Sequence, residues 1–292
     1  MEREMDGGGE SGGTRKVKVR KERLDKLLAD RGLTESRTRA QALIMAGRVR
    51  VNGERAEKAG TSVGVDCVLE VEEGIRWASR GAFKLLKALE VFRIGAAGRI
   101  CVDVGASTGG FTDVLLSAGA KKVYAVDVGY GQLHWRLAGD PRVVVMDRTN
   151  ARGLTPGRFG DRIDLIVCDA SFISLRLLLP AIDAILSGEG EAAVLIKPQF
   201  EAGRERLGRG GVVRDPAVHA AVLREVLDFA DRETRLVPAG LSWSPIRGPE
   251  GNLEFLCHLR RNPGVNDVGI DIGIGIGIDV EAVVSAAHKE LS

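Results

Sequence analysis

The chain of 292 residues lacks long apolar runs, and no stretch approaches the roughly 18 residues that a membrane span requires. Residues 1–10 contain no apolar segment, so the pattern of a secretory signal peptide is missing. The four cysteines and four histidines are scattered, and no two cysteines form a Cys-x-x-Cys pair. These absences predict a cytoplasmic protein with buried free thiols, no membrane segment and no metal site.

The net charge of +2 is small but unevenly distributed. Hydrophobic residues make up 44% of the chain and charged residues 28%, which is typical of a globular protein, and the length predicts about two domains. Residues 15–60 hold fourteen Lys and Arg against six Asp and Glu, so the rest of the chain sums to −6. A basic module on a neutral-to-acidic body favours a polyanionic partner, although a charge run is usually only a solvated surface.

A glycine loop between a predicted strand and a predicted helix is the most informative stretch. Residues 99–104 form a short apolar run typical of a buried strand, and helical spacing resumes at Phe111. Between them lie Gly105, Gly109 and Gly110. Glycines let the backbone approach a ligand closely, and a helix N-terminus offers free N–H groups. The pattern therefore predicts a nucleotide-type site.

The spacing of the loop narrows the choice of ligand. Asp103-x-Gly-x-x-x-Gly-Gly matches neither the dinucleotide fingerprint nor a P-loop. Asp103 would repel a pyrophosphate and attract an ammonium group. Asp127 follows the next predicted strand, 22 residues after Gly105, where a carboxylate can hold both hydroxyls of a ribose. A cationic amino acid joined to adenosine describes S-adenosylmethionine, while an ordinary strand-to-helix turn with incidental glycines is the simpler alternative.

Strands and helices alternate beyond this loop, which predicts a doubly wound, mostly parallel sheet. Strands are expected at residues 99–104, 122–126, 142–146, 163–168 and 192–196, a hairpin at 237–243 and 253–259, and helices at 80–92, 175–186, 216–231 and 280–291. Ligands bind beyond the carboxyl ends of the strands in such sheets. Polar residues stand at five of these ends, namely Asp103, Asp127, Asp147, Asp169 and Lys197.

The segment before this domain predicts a small α+β module. Helical spacing begins at Arg20, and a second short helix begins at Thr34 or Ser36. Residues 48–53 alternate polar and apolar side chains before an Asn-Gly turn, which is a strong hairpin signal. The alternation directs Arg48 and Arg50 to one outer face.

From Arg23-Leu-Asp-Lys-Leu-Leu28 to Gly47-Arg-Val-Arg-Val-Asn-Gly53, this module resembles the S4 RNA-binding domain. The resemblance implies two short helices against a small sheet that presents arginines to structured RNA. The residues that match its basic surface are Arg23, Arg37, Arg39, Arg48 and Arg50. Recognition of RNA by shape and phosphate contacts suits an arginine cluster without aromatic residues.

An S4 domain followed by this α/β domain resembles the TlyA family of ribosomal RNA ribose 2′-O-methyltransferases, once labelled haemolysins, and the α/β part is similar to the FtsJ/RrmJ group. The resemblance covers about residues 20–262. Its motifs are Ser79-Arg-Gly-Ala-Phe-Lys-Leu85, Asp103-Val-Gly-Ala-Ser-Thr-Gly-Gly-Phe-Thr-Asp113, Cys168-Asp-Ala-Ser-Phe-Ile173, Lys197-Pro-Gln-Phe-Glu201 and Gly248-Pro-Glu-Gly-Asn-Leu-Glu-Phe255. This chain has Ala82 where family members often have a second glycine, and its Gly/Ile-rich segment lies outside the family pattern.

The resemblance implies a Rossmann-like class I methyltransferase domain with a mostly parallel seven-stranded sheet, preceded by the S4 domain. The expected division is a disordered tail at 1–19, the S4 domain at 20–74, a linker at 75–79, the methyltransferase domain at 80–262, and a Gly/Ile tether with a C-terminal helix at 263–292. S-adenosylmethionine is the implied cofactor, and ribosomal RNA or a ribosomal subunit is the implied partner. The implied target is the ribose of a cytidine.

The family uses a Lys-Asp-Lys-Glu tetrad, and the matching residues are Lys84, Asp169, Lys197 and Glu254. The proton of a ribose 2′-hydroxyl must leave as the methyl group arrives, and a lysine can accept it only with a lowered pKa. A second cation and burial lower that pKa, whereas nearby carboxylates raise it. Lys197 is assigned as the base. Taken singly, each lysine could instead be an exposed surface residue and Asp169 a helix cap.

The residues expected to bind the cofactor are Asp103, Gly105, Ser107, Thr108, Gly109, Gly110, Phe111, Asp127, Asp147 and Asp169. Three alternatives compete with methyl transfer. A nicotinamide-dependent oxidoreductase would suit Asp127 but not the glycine spacing. A pore-forming haemolysin would need a membrane element, which the sequence does not present. An RNA-binding protein without catalysis would not need the tetrad. The position of the modified cytidine in the rRNA, the ribosomal subunit and the oligomeric state are not encoded in these motifs.

Overall fold

The computed structural model describes residues 20–34, 36–71, 77–261 and 277–291. The chain divides into two compact units between Arg76 and Trp77. The expected disordered tail, the start of the linker and nearly all of the Gly/Ile tether lie outside the described residues. The domain boundaries given above therefore stay predictions.

The described residues of the N-terminal unit form two short helices and five short strands. Its elements are β1 (Lys21–Arg23), α1 (Leu24–Asp30), α2 (Arg37–Met45), β2 (Val49–Val51), β3 (Glu54–Arg55), β4 (Ser62–Gly64) and β5 (Leu69–Val71). Strand β1 pairs with β4, while β3, β2 and β5 form a three-stranded antiparallel sheet. Leucines of α1 pack with Ala40 and Ile44 of α2 and with Val49 of β2 in a small hydrophobic core.

Local sequence signals explain most of this unit. The Ser36 hydroxyl accepts a hydrogen bond from the Arg39 N–H and begins α2. Asn52 and Gly53 have φ angles of 52° and 84°, as a tight hairpin between β2 and β3 requires. The expectation of helix from Arg20 is wrong, because Lys21–Arg23 extends and pairs with β4, a strand that the sequence reading missed.

The C-terminal unit is an α/β domain. Its elements are α3 (Ala82–Phe92), β6 (Ile100–Val104), α4 (Gly110–Ser117), β7 (Lys122–Val126), α5 (Trp135–Ala138), β8 (Val143–Met146), β9 (Ile163–Cys168), α6 (Leu179–Ile185), β10 (Leu186–Ile196), α7 (Pro198–Glu201), α8 (Pro216–Glu233), β11 (Leu236–Trp243), β12 (Phe255–Arg261) and α9 (Val280–Glu290). Short 3-10 turns join several of them. The predicted α/β class and seven-stranded sheet are confirmed.

The strand order in the sheet is β11-β12-β10-β9-β6-β7-β8. Strands β6 to β10 run parallel, and β12 lies antiparallel between β10 and β11. The order reverses between β6 and β9, so the carboxyl ends of these two strands open the crevice where ligands bind in such folds. Buried side chains alternate between the two faces of the sheet, where α3 and α4 cover one face and α6, α8 and α9 the other.

One predicted helix is shorter than expected. Residues 175–186 do not form a continuous helix, since Leu175–Leu177 is a 3-10 turn and α6 begins only at Leu179. Leu186 instead opens β10 and pairs with Ile163 of β9, so sheet pairing ends the helix. Among the described residues, no helix is both long and apolar enough to cross a membrane.

Candidate active site

Two glycines of the loop after β6 are required by their surroundings. Gly105 has a φ of +81°, and a Cβ atom there would lie 3.0 Å from the Cα atom of Ala170. Gly109 has a φ of +95°, and a Cβ atom there would clash with the side chains of Leu133 and Leu137. Both positions combine a left-handed backbone with close packing, so only glycine fits. The loop is thereby held against the segment that follows β9.

The four tetrad residues come from separate elements that meet at one edge of the sheet. Lys84 lies in the first turn of α3, Asp169 follows β9, and Lys197 follows β10. Glu254 directly precedes β12, and Ile196 pairs with Phe255 in the register of β10 and β12. Because β12 runs in the opposite direction to β10, its start lies beside the end of β10. This reversal places Glu254 next to Lys197 at the carboxyl edge.

Each tetrad side chain lies within ion-pair distance of at least one other. Lys84 Nζ is 2.6 Å from Glu254 Oε2 and 3.2 Å from Asp169 Oδ2. Lys197 Nζ is 2.7 Å from the other oxygen of Asp169, Oδ1. Asp169 therefore bridges the two ammonium groups, and Glu254 pairs with Lys84. The structure thus brings these four residues together.

The tetrad is buried, which distinguishes it from an ion pair on the protein surface. Lys84 and Lys197 are each 6% exposed, and Glu254 is fully buried. Burial opposes the charge of Lys84, but the carboxylates of Asp169 and Glu254 outweigh it and hold the pKa of Lys84 above its ordinary value. Lys84 is thus a persistent cation. The alternative of two solvated surface lysines does not describe this arrangement.

Two adjoining cavities open beside the tetrad. The first, of about 420 Å³, is lined by all of the tetrad except Glu254, by the N-terminal part of the glycine-loop helix, and by Ser79, Arg80 and Gly248. The second, of about 330 Å³, extends along the ends of β6 and β7. Four residues line both cavities, namely Gly105, Ser107, Asp169 and Ser171. A ligand in one cavity and a ligand in the other would meet at these residues.

The second cavity has the character of a nucleoside site. Its walls are largely apolar, with Val126, Ile173 and Leu178 among the lining side chains, and Asp127 stands at its rim. Asp127 Oδ2 accepts a hydrogen bond from the Ser107 N–H at 2.8 Å, and Oδ1 accepts one from Gly129 at 2.7 Å. Apolar walls with a few placed polar groups are typical of sites for small cofactors.

Most of the predicted cofactor residues line the two cavities. Gly105, Ser107, Thr108, Gly110, Phe111 and Asp169 line the first, and Asp127 lines the second. The lining does not include Gly109 or Asp147. The carboxylate of Asp147 instead accepts a hydrogen bond from the Gly131 N–H and shapes the loop after β7.

Asp103 lies beneath the glycine loop, away from the cavity surface. Its side chain is fully buried, and Oδ2 accepts a hydrogen bond from the Thr112 hydroxyl at 2.7 Å. Burial raises the pKa of Asp103 to about 7, with the carboxylates of Asp169 and Asp127 adding to the effect. The predicted contact with an ammonium group is therefore not direct in this structure, because no surface of the carboxyl group reaches a cavity.

The cavities also include residues that the sequence reading missed. They are Arg80, Gln132, Thr149, Asn150, Ser171, Phe172 and Arg247. Several of them come within three residues of a predicted strand-end residue, as Ser171 and Phe172 do after Asp169. That closeness in sequence could have indicated that they line the site. Phe172 is exposed and has a φ of +63°, a left-handed conformation that is unfavourable for an aromatic residue.

In the N-terminal unit, two of the five predicted RNA-binding arginines share one buried partner. Asp25 is fully buried and accepts hydrogen bonds from Arg23, from Arg37 at 2.9 Å and from Gln41 at 2.8 Å. These hydrogen bonds, led by those of Arg23, hold the pKa of Asp25 well below its ordinary value. The carboxylate therefore fixes the guanidinium groups of Arg23 and Arg37 on one surface of the unit.

The other three arginines lie on and beside α2 and β2. Arg39 and Arg50 are exposed, and Arg48 is half-buried. Val49 between them is fully buried, as the alternating pattern predicted. Arg50 donates a hydrogen bond to the Gly53 carbonyl in the hairpin turn. The described residues contain no group of three or more His, Cys, Asp or Glu side chains able to hold a metal ion, and all four cysteines are buried and free.

Comparison with known proteins agrees with this geometry. Residues 77–261 match the FtsJ-like methyltransferase family, and residues 22–66 match the S4 domain. The 16S/23S rRNA (cytidine-2′-O)-methyltransferase TlyA of Mycobacterium tuberculosis is 51% identical over 246 residues, which cover 83% of this chain and 91% of that protein. The chain belongs to the TlyA family of FtsJ-like methyltransferases. This family membership argues against the alternative of a nicotinamide-dependent oxidoreductase.

Other relatives of this chain carry haemolysin names. Hemolysin A of Brachyspira hyodysenteriae is 41% identical, with coverage of 81% of this chain and 99% of that protein. A solved structure from Streptococcus thermophilus, described as a hemolysin, shares 44% identity and a TM-score of 0.68. It covers 93% of this chain and 97% of its own. Both kinds of name thus occur among the relatives of this chain.

Proposed function

We propose that this protein transfers a methyl group from S-adenosylmethionine to the ribose 2′-hydroxyl of a cytidine in ribosomal RNA. One observation carries the proposal: two buried lysines bridged by Asp169 line the first cavity, and Asp169 also lines the second, nucleoside-sized cavity. Methylation of a base nitrogen or carbon would not need a lysine pair. Removal of a hydroxyl proton needs a base within hydrogen-bond reach.

The chemistry of the second cavity fits the cofactor. Its apolar walls suit an adenine ring, and Asp127 and Asn150 offer polar groups for a ribose. When bound, S-adenosylmethionine supplies a methyl group already activated on a sulfonium, so catalysis depends mainly on alignment. We assign Asp127 to the ribose hydroxyls and the loop from Gly105 to Phe111 to the methionine part.

Each tetrad residue has its own role in the removal of the 2′-hydroxyl proton. In its neutral form, Lys197 accepts the proton of the 2′-hydroxyl. Lys84 stays charged and stabilises the negative charge that develops on the ribose oxygen. Asp169 orients both lysines, since each of its oxygens contacts one of them. Glu254 holds Lys84 in place from the side away from the first cavity.

The N-terminal unit supplies affinity for RNA in this proposal. Its arginines neutralise phosphates and contact the ribose edge of structured RNA without reading a base sequence. The implied partner is ribosomal RNA, free or within a ribosomal subunit, since the named Mycobacterium relative acts on both 16S and 23S rRNA. The expected location in the cytoplasm stays a prediction.

The decisive experiment uses substrates that differ by one oxygen atom. Ribosomal RNA fragments carrying the target cytidine, or its 2′-deoxy analogue, are incubated with the protein and labelled S-adenosylmethionine. We expect label in the ribose of the first RNA and none in the second. Label in a base, or label in the deoxy substrate, would contradict the proposal.

A pair of variants connects the reaction to the site. Lys197→Ala is expected to lower the rate of transfer by about 10²–10⁴-fold, as loss of a general base does, with unchanged cofactor affinity. Lys289→Ala is the matched control, because Lys289 is an exposed lysine of α9. A Lys197→Ala variant that keeps the parental rate would remove Lys197 from the mechanism.

A further inference from the structure

One hydroxyl group beside Lys197 has no role in the mechanism above. Ser171 Oγ lies 2.8 Å from Lys197 Nζ. Lys197 is only 6% exposed, whereas Ser171 is exposed and lines both cavities. Ser171 therefore lies between the buried amine of Lys197 and the space where the two cavities adjoin.

The contacts of Lys197 differ in what they can accept and donate. Its Nζ atom lies 2.7 Å from Asp169 Oδ1 and 3.4 Å from the Asp169 carbonyl oxygen. A carboxylate and a carbonyl oxygen can only accept hydrogen bonds, whereas a hydroxyl can also donate one. When Lys197 is neutral, its two N–H groups are best directed to Asp169. Its lone pair then faces the third contact, the hydroxyl of Ser171.

The segment that carries Ser171 is fixed independently of any ligand. Glu201 of α7 is buried and accepts hydrogen bonds from the Ser174 hydroxyl at 2.7 Å and from the Leu175 N–H at 2.6 Å. Lys197 stands just before the same short helix. Glu201 therefore joins the segment just after Ser171 to the short helix that Lys197 precedes. This connection preorganises the contact between Ser171 and Lys197.

We propose that Ser171 relays the proton from the ribose 2′-hydroxyl to Lys197. The ribose oxygen forms its bond to the methyl carbon as the carbon–sulfur bond of the sulfonium donor breaks, and the sulfur leaves as a neutral thioether. The 2′ proton passes to Ser171 Oγ, while the proton of Ser171 passes to the lone pair of Lys197 Nζ. Serine ends unchanged and lysine ends as an ammonium. This relay rests on the proposed function and adds Ser171 to its catalytic residues.

Two variants of nearly equal shape test the relay. Ser171→Thr keeps a hydroxyl, whereas Ser171→Val has a methyl group of similar volume in its place. We expect Ser171→Thr to keep the single-turnover rate within a few-fold of the parent. Ser171→Val is expected to lose about 10²-fold or more, as loss of general base catalysis does, with unchanged KM for RNA and unchanged cofactor affinity.

An exposed serine outside the two cavities provides the control. Ser117→Ala removes a hydroxyl at the end of α4, and we expect it to keep the parental rate of transfer. Equal rates for Ser171→Val and Ser171→Thr would overturn the relay, and so would a loss confined to KM. If Lys197→Ala abolishes transfer while Ser171→Val does not, the relay fails and the proposed function stands. If Lys197→Ala is fully active, the base assignment itself fails.

Discussion

The Nζ atom of Lys84 lies 2.6 Å from Oε2 of Glu254, a carboxylate with no exposed surface. Lys84 also pairs with Asp169, and together the two carboxylates outweigh the cost of burial and raise the pKa of Lys84. Lys197 has a different environment, in which the carboxylate of Asp169 is joined by the hydroxyl of Ser171. The two lysines of the tetrad are therefore not equivalent. Two carboxylates stabilise the charged form of Lys84, whereas Lys197 contacts one carboxylate and one neutral hydroxyl.

Arginine substitutions at the two lysines are expected to separate these roles. Arginine keeps a positive charge but cannot be deprotonated in a protein. Lys197→Arg should lower the single-turnover rate by about 10²–10⁴-fold, like Lys197→Ala, because neither variant can accept a proton. Lys84→Arg should keep more of the rate than Lys84→Ala. Calorimetric affinity for S-adenosylmethionine is the control, and a parental rate for Lys197→Arg would exclude Lys197 as the base.

Asp127→Ala is expected to weaken the binding of S-adenosylmethionine by about 10–100-fold, the range for loss of a hydrogen bond to a charged group. The carboxylate also orders the loop by accepting hydrogen bonds from the N–H groups of Ser107 and Gly129. Loss of the ribose contact and loss of this loop order should both weaken cofactor binding. Isothermal calorimetry measures the change. Asp140→Ala serves for comparison, because Asp140 pairs with Arg142 outside the cavities. Equal affinity for parent and Asp127→Ala would remove Asp127 from the cofactor site.

Asp103→Asn is expected to change how stability depends on pH. Burial raises the pKa of Asp103 to about 7 in the folded chain, against about 3.9 when unfolded. Between these values the folded state holds a proton that the unfolded state has released, so the stability of the parent falls as pH rises from 4 to 7. Asparagine cannot release a proton, so the variant lacks this dependence on pH. The free energy of unfolding of Asp103→Asn relative to that of the parent should therefore rise between pH 4 and 7, by at most about 4 kcal/mol, and stay constant above pH 7.

Urea unfolding of the two proteins at pH 4, 6 and 8 measures this difference. Glu189→Gln is the control for loss of a charge, since its side chain is 85% exposed and its pair with Arg162 is weak. A difference between Asp103→Asn and the parent that does not vary with pH would show that folding does not raise the pKa of Asp103.

The double variant Arg48→Ala, Arg50→Ala is expected to bind ribosomal RNA more weakly and with a flatter dependence on salt. Each lost phosphate contact reduces the slope of log K against log salt by about 0.7–0.9. Filter binding across a series of salt concentrations measures the slope, and cofactor affinity should not change. Arg162→Ala with Arg260→Ala removes two exposed arginines from the other unit and serves as the charge-matched control. Equal slopes for the two double variants would assign the RNA contact elsewhere.

Patterns that act over short distances in the chain were readable from the sequence. Apolar runs and helical spacing predicted the seven strands of the large sheet and most of the longer helices, and the Asn-Gly pair predicted the hairpin after β2. Family motifs predicted the four tetrad residues. Strand β1 and the shortened helix before β10 were misread, because in both cases pairing with a distant strand overrode a helical local pattern.

Only the tertiary structure decided which of these residues meet and how deeply they lie. Lys84 and Glu254 are 170 positions apart, and their contact depends on the reversed insertion of β12 beside β10. The same insertion buries both side chains, which makes their ion pair persistent. Asp103 shows the converse, since a strand-end carboxylate that local spacing assigned to a ligand is fully covered by its own loop. Periodicity fixes the face on which a side chain lies, whereas its neighbours, exposure and pKa depend on the packing of distant segments.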